Sequence, residues 1–332
     1  MRSNHATMGT IGRLAPRGLV ALVWAAALAL PAAAQDYPSR AVRIIVPFPA
    51  GGTADVMPRV VGDWLSRKWG QPVVIENKAG AAGNIGAEVA YKADPDGYTL
   101  LSAPPPPLVI NQNLYPNLSF DPTGFVPISV MGIVPNALVV NPKKIAAGTV
   151  ADFIAYAKAN PDKISAATQG NGSTSHLTSE LFQLMANVQF VQVPYRGSAP
   201  ALQGLLAGDV DIMFDNLGVS LALVKSGQLK LIAVGTEKRM SALPDVPTIA
   251  EALPGFASSA WFAVVGPPKT PGAIVAKINA DIAAAVRQPD VRARLAELSA
   301  DPVGGTPAET AAFMRAEVER WNNVIKAANV KM

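Results

Sequence analysis

The chain contains no cysteine, only two histidines, few aromatic residues and one long uninterrupted apolar run. Without cysteine there is no disulfide framework and no site for a lipid anchor. His5 lies in a leader described below, so His176 is the only imidazole of the mature chain. One imidazole and no thiol make a zinc or copper site unexpected. No acidic cluster has the loop spacing that calcium or magnesium requires. No cofactor or metal is therefore expected.

What is present begins with a leader. Arg2, Arg13 and Arg17 form a positive start without any carboxylate, and residues 19–30 are apolar but too short to span a bilayer. Ala32 and Ala34 supply small residues at the cleavage positions, which places the cut after Ala34 and predicts a secretory signal peptide over residues 1–34. The mature protein is expected outside the cytoplasm, in the periplasm, without an anchor. Its loss takes three arginines and no carboxylate, so the net charge of +4 falls to +1. The basic balance belongs to the leader, and no nucleic-acid partner is inferred.

The remaining length, roughly 300 residues, exceeds what one hydrophobic core usually serves, so two domains are expected. Strand-like runs alternate with helical ones: strands near 42–46, 73–76, 98–102, 164–168, 188–193, 210–214 and 229–234, with 128–140 an apolar stretch broken by Gly132 and Pro135. Capping-box spacing at Thr149 and Thr306, and proline starts at Pro271 and Pro289, mark helices. This alternation predicts an α/β fold with parallel-rich sheets flanked by helices.

Two stretches share a plan. Residues 42–56, VRIIVPFPAGGTADV, read as a buried strand, a tight turn at Gly51 and Gly52, and a helix start. Residues 164–176 repeat strand, Gly-rich turn with hydroxyls, and helix, with His176 expected to open the helix. Each aims amide N–H groups and a helix dipole off the carboxyl end of a strand, where ligands of open α/β sheets sit. Facing each other they form an anion cleft, with Gly170, Gly172, Ser173 and Thr174 as donors on the second side. Asp55 is either the helix N-cap, which puts Pro58 at a tolerated position, or a ligand contact.

The runs YPSRAVRIIVPFPAGGTAD, VVIENKAGAAGNIGAEVA, DPDGYTLL, GNGSTSHLTSELF, VPYRGSAPALQGLLAGDVDIMFDN, GQLKLIAV and ALPDVPTIAEALPGF resemble one family across essentially the whole mature chain. It is the Bug family, the substrate-binding proteins of tripartite tricarboxylate transporters. The resemblance implies a two-domain periplasmic-binding-protein fold, type II-like, that closes on a small carboxylate ligand. It also implies delivery to an integral membrane permease with one large and one small subunit, by a monomer that does no chemistry. The expected boundaries are 36–132 with 256–332 for the first domain and 133–255 for the second. By position the family's carboxylate loop is Phe48, Pro49, Ala50, Gly51, Gly52 and Thr53. The facing loop spans Gly170 to His176; Tyr195, Arg196 and Asp215 match further family stretches. One departure follows Ser102 and Ala103, where Pro104 to Pro107 replace a small polar loop. Proline offers no N–H, which favours a monocarboxylate or an acid with an apolar body over citrate.

Several features admit plainer readings. Gly80, Gly83 and Gly86 lack dinucleotide-fingerprint spacing and read as a turn leading into a helix, and PFPAGG lacks the ending of a P-loop. His176 can organise its loop, Arg196 can form a structural ion pair, Asp215 can cap the helix after it, and Trp261 and Phe262 can be core or pocket lining. A hydrolase built on Ser173, His176 and Asp215 has no nucleophile elbow to support it. A subunit that senses the same ligand for a membrane receptor is the other alternative.

Overall fold

In the computed structural model, Met1 and residues 37–330 are described, so the expected leader lies outside the described residues apart from Met1. From Arg40 onward the chain packs into one body. It opens with β1 (Val42–Val46), α1 (Thr53–Trp69), β2 (Val73–Asn77), α2 (Asn84–Tyr91) and β3 (Thr99–Ala103). Then come β4 (Val126–Val140), α3 (Val150–Ala159), β5 (Ser165–Thr168), α4 (Thr174–Ala186), β6 (Val191–Pro194), α5 (Ser198–Ala207), β7 (Ile212–Asn216), α6 (Leu217–Lys225) and β8 (Lys230–Val234). The chain ends with β9 (Ser259–Gly266), α7 (Gly272–Ala285), α8 (Pro289–Glu297), β10 (Asp301–Pro302) and α9 (Pro307–Ala327).

The ten strands among the described residues join in one sheet of order β2-β1-β3-β9-β4-β7-β5-β6, with β8 and β10 also pairing on β4. Its two wings are parallel, as the α/β alternation predicts: β1 lies between β2 and β3, and β5 between β6 and β7. The centre is not. β9 runs antiparallel to both β3 and β4, and β7 runs antiparallel to β4. Helices cover the faces, with α1 on β2, α4 on β7, α5 on β5, and α7 and α9 on β4.

The stretch expected to break at Gly132 and Pro135 is instead one continuous strand of 15 residues. Its first part pairs with β9, and from Asn136 onward it pairs with β7 and β8, so β4 belongs to both parts of the sheet. Gly132 and Pro135 are accommodated because the register slips locally, between Val130 and Gly132, and because the β9 ladder ends at Pro135.

Two apolar clusters flank this strand. One joins Ile45, Leu101, Val109, Phe120, Trp261 and Trp321; the other joins Leu138, Phe153, Phe182, Phe214 and Phe256. Phe182 is the hub of the second, with ring centroids 5.2 Å from Phe214 and 5.8 Å from Phe153. Burying each such ring contributes about 2–3 kcal/mol. Trp261 and Trp321 both donate to Glu317 Oε2, at 2.8 and 3.0 Å, which pins α9 to β9.

The helix starts differ from expectation in three places. The N-cap of α1 is Gly52, not Asp55, and the helix runs on through Pro58. α4 begins at Thr174, two residues before His176, with Ser173 as its cap. Asp215 lies within β7 and caps nothing; Asn216 stands at the N-cap of α6. The Gly80–Gly86 stretch is a 3-10 turn over Ala81–Gly83 followed by α2, the turn leading into a helix that its spacing suggested.

Candidate ligand-binding site

The β1–α1 turn is held in shape before any ligand is considered. Gly51 has φ +90°, a conformation that other residues resist, whereas Gly52 has an ordinary φ of −90°. The carboxylate of Asp55 reaches back from the first turn and accepts the Gly51 N–H at Oδ2, 3.0 Å away. Its Oδ1 accepts from Arg59 Nε and from Asn77 Nδ2, each at 2.9 Å. Asn77 also donates to the Phe48 carbonyl at 2.9 Å. Burial works against the Asp55 charge, but the bonds from Arg59, Gly51 and Asn77 outweigh it and hold the carboxyl below its usual range. The Gly51 amide is thus spent inside the turn rather than aimed at a ligand.

Facing this turn is the loop after β5. Ser173 Oγ accepts from His176 N at 3.2 Å, and His176 Nδ1 accepts from Gly172 N at 3.2 Å. His176 Nε2 lies 3.5 Å from Glu180. The imidazole therefore braces its own loop, and its contact with Ser173 runs through the backbone. Ser173 and His176 thus meet through Ser173 Oγ and the His176 amide, while the imidazole Nδ1 is taken by the Gly172 N–H.

Between the two loops lie two connected spaces. The inner chamber is small, about 30 Å³, and is walled by Phe48, Pro49, Gly52, Thr53 and Ala54 on one side and by Gln169, Ser173, Thr174, Gly197, Ser198 and Asn216 on the other. Pro104, Pro106 and Phe262 complete it. That is room for one or two waters or for the oxygens of one carboxylate. The outer cavity, about 620 Å³, shares Phe48, Pro49, Gln169, Ser173 and Gly197 and adds residues 79–83, Tyr115, Asn171, Tyr195 and Arg196.

The inner chamber carries no ionisable side chain at all. Instead, four helices start on it: α1 at Thr53, α4 at Thr174, α5 at Ser198 and α6 behind Asn216. The first amides of a helix have no intrahelical acceptor, and the aligned dipoles place partial positive charge there. Thr53 Oγ1 is buried there without any hydrogen-bond partner. Behind the wall sits Asp215, fully buried, its Oδ1 accepting from Gln169 Nε2 and Ser198 Oγ at 2.9 Å each. Burial pushes its carboxyl up to about 6 against the pull of those two bonds and of the nearby Ser220 hydroxyl and Asn216 amide.

Of the residues expected at the site, Phe48, Pro49, Gly52, Thr53, Gly170, Ser173, Thr174, Tyr195 and Arg196 line one space or the other. Ala50, Gly51, Asp55, Ala103, Gly172, His176 and Asp215 stand outside both linings. Ala103 is packed in the apolar core, with Pro104 and Pro106 on the wall; Gly51, Asp55, Gly172 and His176 serve the loops from behind. Phe262 lines the chamber while Trp261 is core. Gln169, Ser198 and Asn216 were not anticipated. Each directly follows or ends a strand or opens a helix, the signal that could have found them.

Comparison with known proteins identifies the family. The family model described as "Tripartite tricarboxylate transporter family receptor" matches residues 57–330. Protein BugT of Bordetella pertussis is 39% identical over 310 residues, covering 92% of this chain and 95% of that protein. Among solved structures, Rpa4515 of R. palustris with adipate superposes with a TM-score of 0.86 at 39% identity, covering 89% of this chain and 99% of the other. MatC of Rhodopseudomonas palustris with bound malate gives 0.81 at 33%, with 87% and 100% covered. The periplasmic binding protein BugD gives 0.83 at 32%, with 89% and 99% covered. The chain belongs to the tripartite tricarboxylate transporter receptor family, the Bug-type periplasmic solute-binding proteins.

Proposed function

We propose that this protein captures a small carboxylate in the cleft and delivers it to a tripartite membrane permease of one large and one small subunit. The observation that carries the reading is the inner chamber, where four helix N-termini and a free Thr53 hydroxyl converge and no side chain is charged. Such a site favours a carboxylate through oriented N–H groups. The outer cavity, with Phe48, Pro49 and Tyr115 on its walls and Arg196 at its edge, suits an apolar body and a second polar end. Relatives solved with adipate and with malate support the ligand class.

Capture proceeds by closure. The two lobes comprise residues 36–132 with 256–332, and residues 133–255. β4 and the segment entering β9 connect them, and contacts from both sides shift the population toward the closed form. The protein works as a monomer in the periplasm, exported through its leader.

A thermal-shift series with adipate, malate, citrate, glutamate, nicotinate and benzoate tests the reading. A bound acid at one hundred times its dissociation constant adds about 2.7 kcal/mol of stability. A shift with a sugar or a cation and with none of the acids overturns it.

A further inference from the structure

The polarity of the chamber wall depends on one buried carboxyl group. Both Gln169 Nε2 hydrogens are used, on Asp215 Oδ1 at 2.9 Å and on Asn216 Oδ1 at 3.2 Å. Asn216 in turn donates to Asn136 Oδ1 at 2.7 Å and to Thr174 Oγ1 at 3.4 Å. Ser198 has one hydroxyl hydrogen, and it points to Asp215 Oδ1. With Asp215 ionised, Gln169 and Ser198 therefore turn only acceptor lone pairs toward a ligand. That wall repels a carboxylate, although the helix N-termini beside it attract one.

Protonation reverses Ser198. Asp215 Oδ2 is buried without a well-formed hydrogen bond, although the Ser220 hydroxyl and the Asn216 amide lie near enough to favour the charged carboxylate. On Oδ1 the proton has Ser198 Oγ at 2.9 Å, and Gln169 can still donate to the remaining lone pair. Once Oδ1–H donates to Ser198 Oγ, the serine hydrogen is released and can turn into the chamber. We propose that Asp215 is a positioning residue which takes one proton from solvent as a carboxylate binds, converting Ser198 from acceptor to donor and coupling anion capture to proton uptake.

The surroundings isolate this titration. β4, β5 and α5 carry no ionisable side chain, and Asp215 is the only one on β7. α6 carries only the exposed Lys225 at its last position. α4 carries His176 and Glu180, paired with each other at 3.5 Å. The loop before α5 brings Tyr195 and Arg196 to the outer cavity, and across the chamber Asp55 is paired with Arg59. A carboxyl raised to about 6 by burial is ionised at neutral pH, yet a nearby arriving anion raises it further and draws a proton onto it from solvent.

The inference rests on the carboxylate reading above, and calorimetry with adipate separates the two. Between pH 6.5 and 8 the probe is fully ionised, and uptake of one proton weakens binding by up to tenfold per pH unit. The expected result is a loss of about tenfold or more across that range. Buffers of different ionisation enthalpy should report an uptake approaching one proton. Asp215→Asn and Ser198→Ala should each flatten the profile, and the second variant serves where the first fails to fold. His176→Gln should keep the slope. Flat wild-type affinity, a slope that survives both of the first two variants, or one that vanishes in His176→Gln overturns the proposal alone. No binding by adipate or any other acid of the thermal-shift series withdraws the carboxylate reading as well.

Discussion

At the β1–α1 turn, two adjacent glycines have different work. Gly51 alone requires its backbone freedom, and no atom lies within 4 Å of a Cβ added there. Gly51→Ala should therefore cost about 1–2 kcal/mol through strain rather than collision, read from urea unfolding. A Cβ at Gly52 would sit 3.6 Å from the Ser198 Cβ, so alanine fits but valine must push its branches against Ser198 or into the chamber. Gly52→Val should abolish ligand binding while unfolding stays cooperative; normal affinity in that variant would show that the chamber is not the site. Asp55 carries a pH signature. Because its folded pKa is depressed, its contribution is complete above the unfolded value of about 3.9 and disappears as pH falls through the lower folded value. Asp55→Asn should remove that part of the stability loss expected in denaturant titrations as pH falls below about 4.

Elements were more legible than the bonds that trim them. The strand, glycine turn and helix plan at 42–56 and 164–176 was readable because β-branched runs and glycine pairs are local signals. The cap of α1 was not, because an aspartate at the third helical position can reach back past the cap, and only its bonds to Gly51, to Arg59 one turn on and to Asn77 on β2 reveal what it holds. The unbroken β4 was hidden for a similar reason. Gly132 and Pro135 look like breakers until β9 supplies a register that absorbs them. Asp215 gave no sign of its burial, which depends on Gln169 and Ser198 arriving from two other connections. Where elements meet, two changes should be costly. A Cβ at Gly235 would lie 2.6 Å from the Ser258 carbonyl oxygen and 2.8 Å from that of Asn136, so Gly235→Ala should lose about 1–3 kcal/mol in urea melts. Glu317→Leu strands two buried indole N–H groups, each worth about 1–3 kcal/mol when left unpaired, and should loosen α9 from β9.

Across the described residues, the expected α/β plan is realised with a mixed centre, since β9 and β4 run against their neighbours. The buried group Asn136, Asn216, Ser258 and Thr178 ties β4, β7, the approach to β9 and α4 together where the sheet changes partners. Bending should be confined to this region, so small-angle scattering should show a smaller radius of gyration with saturating ligand. An unchanged radius would leave closure without support.

The order of strands along the sheet has a consequence for how the protein is made. β3 and the first part of β4 obtain their hydrogen bonds from β9, which lies near the far end of the chain. β3 and that part of β4 cannot complete their ladders until the late segment emerges, and distant pairings of this kind assemble slowly. The whole sheet therefore cannot close until nearly all of the chain is available.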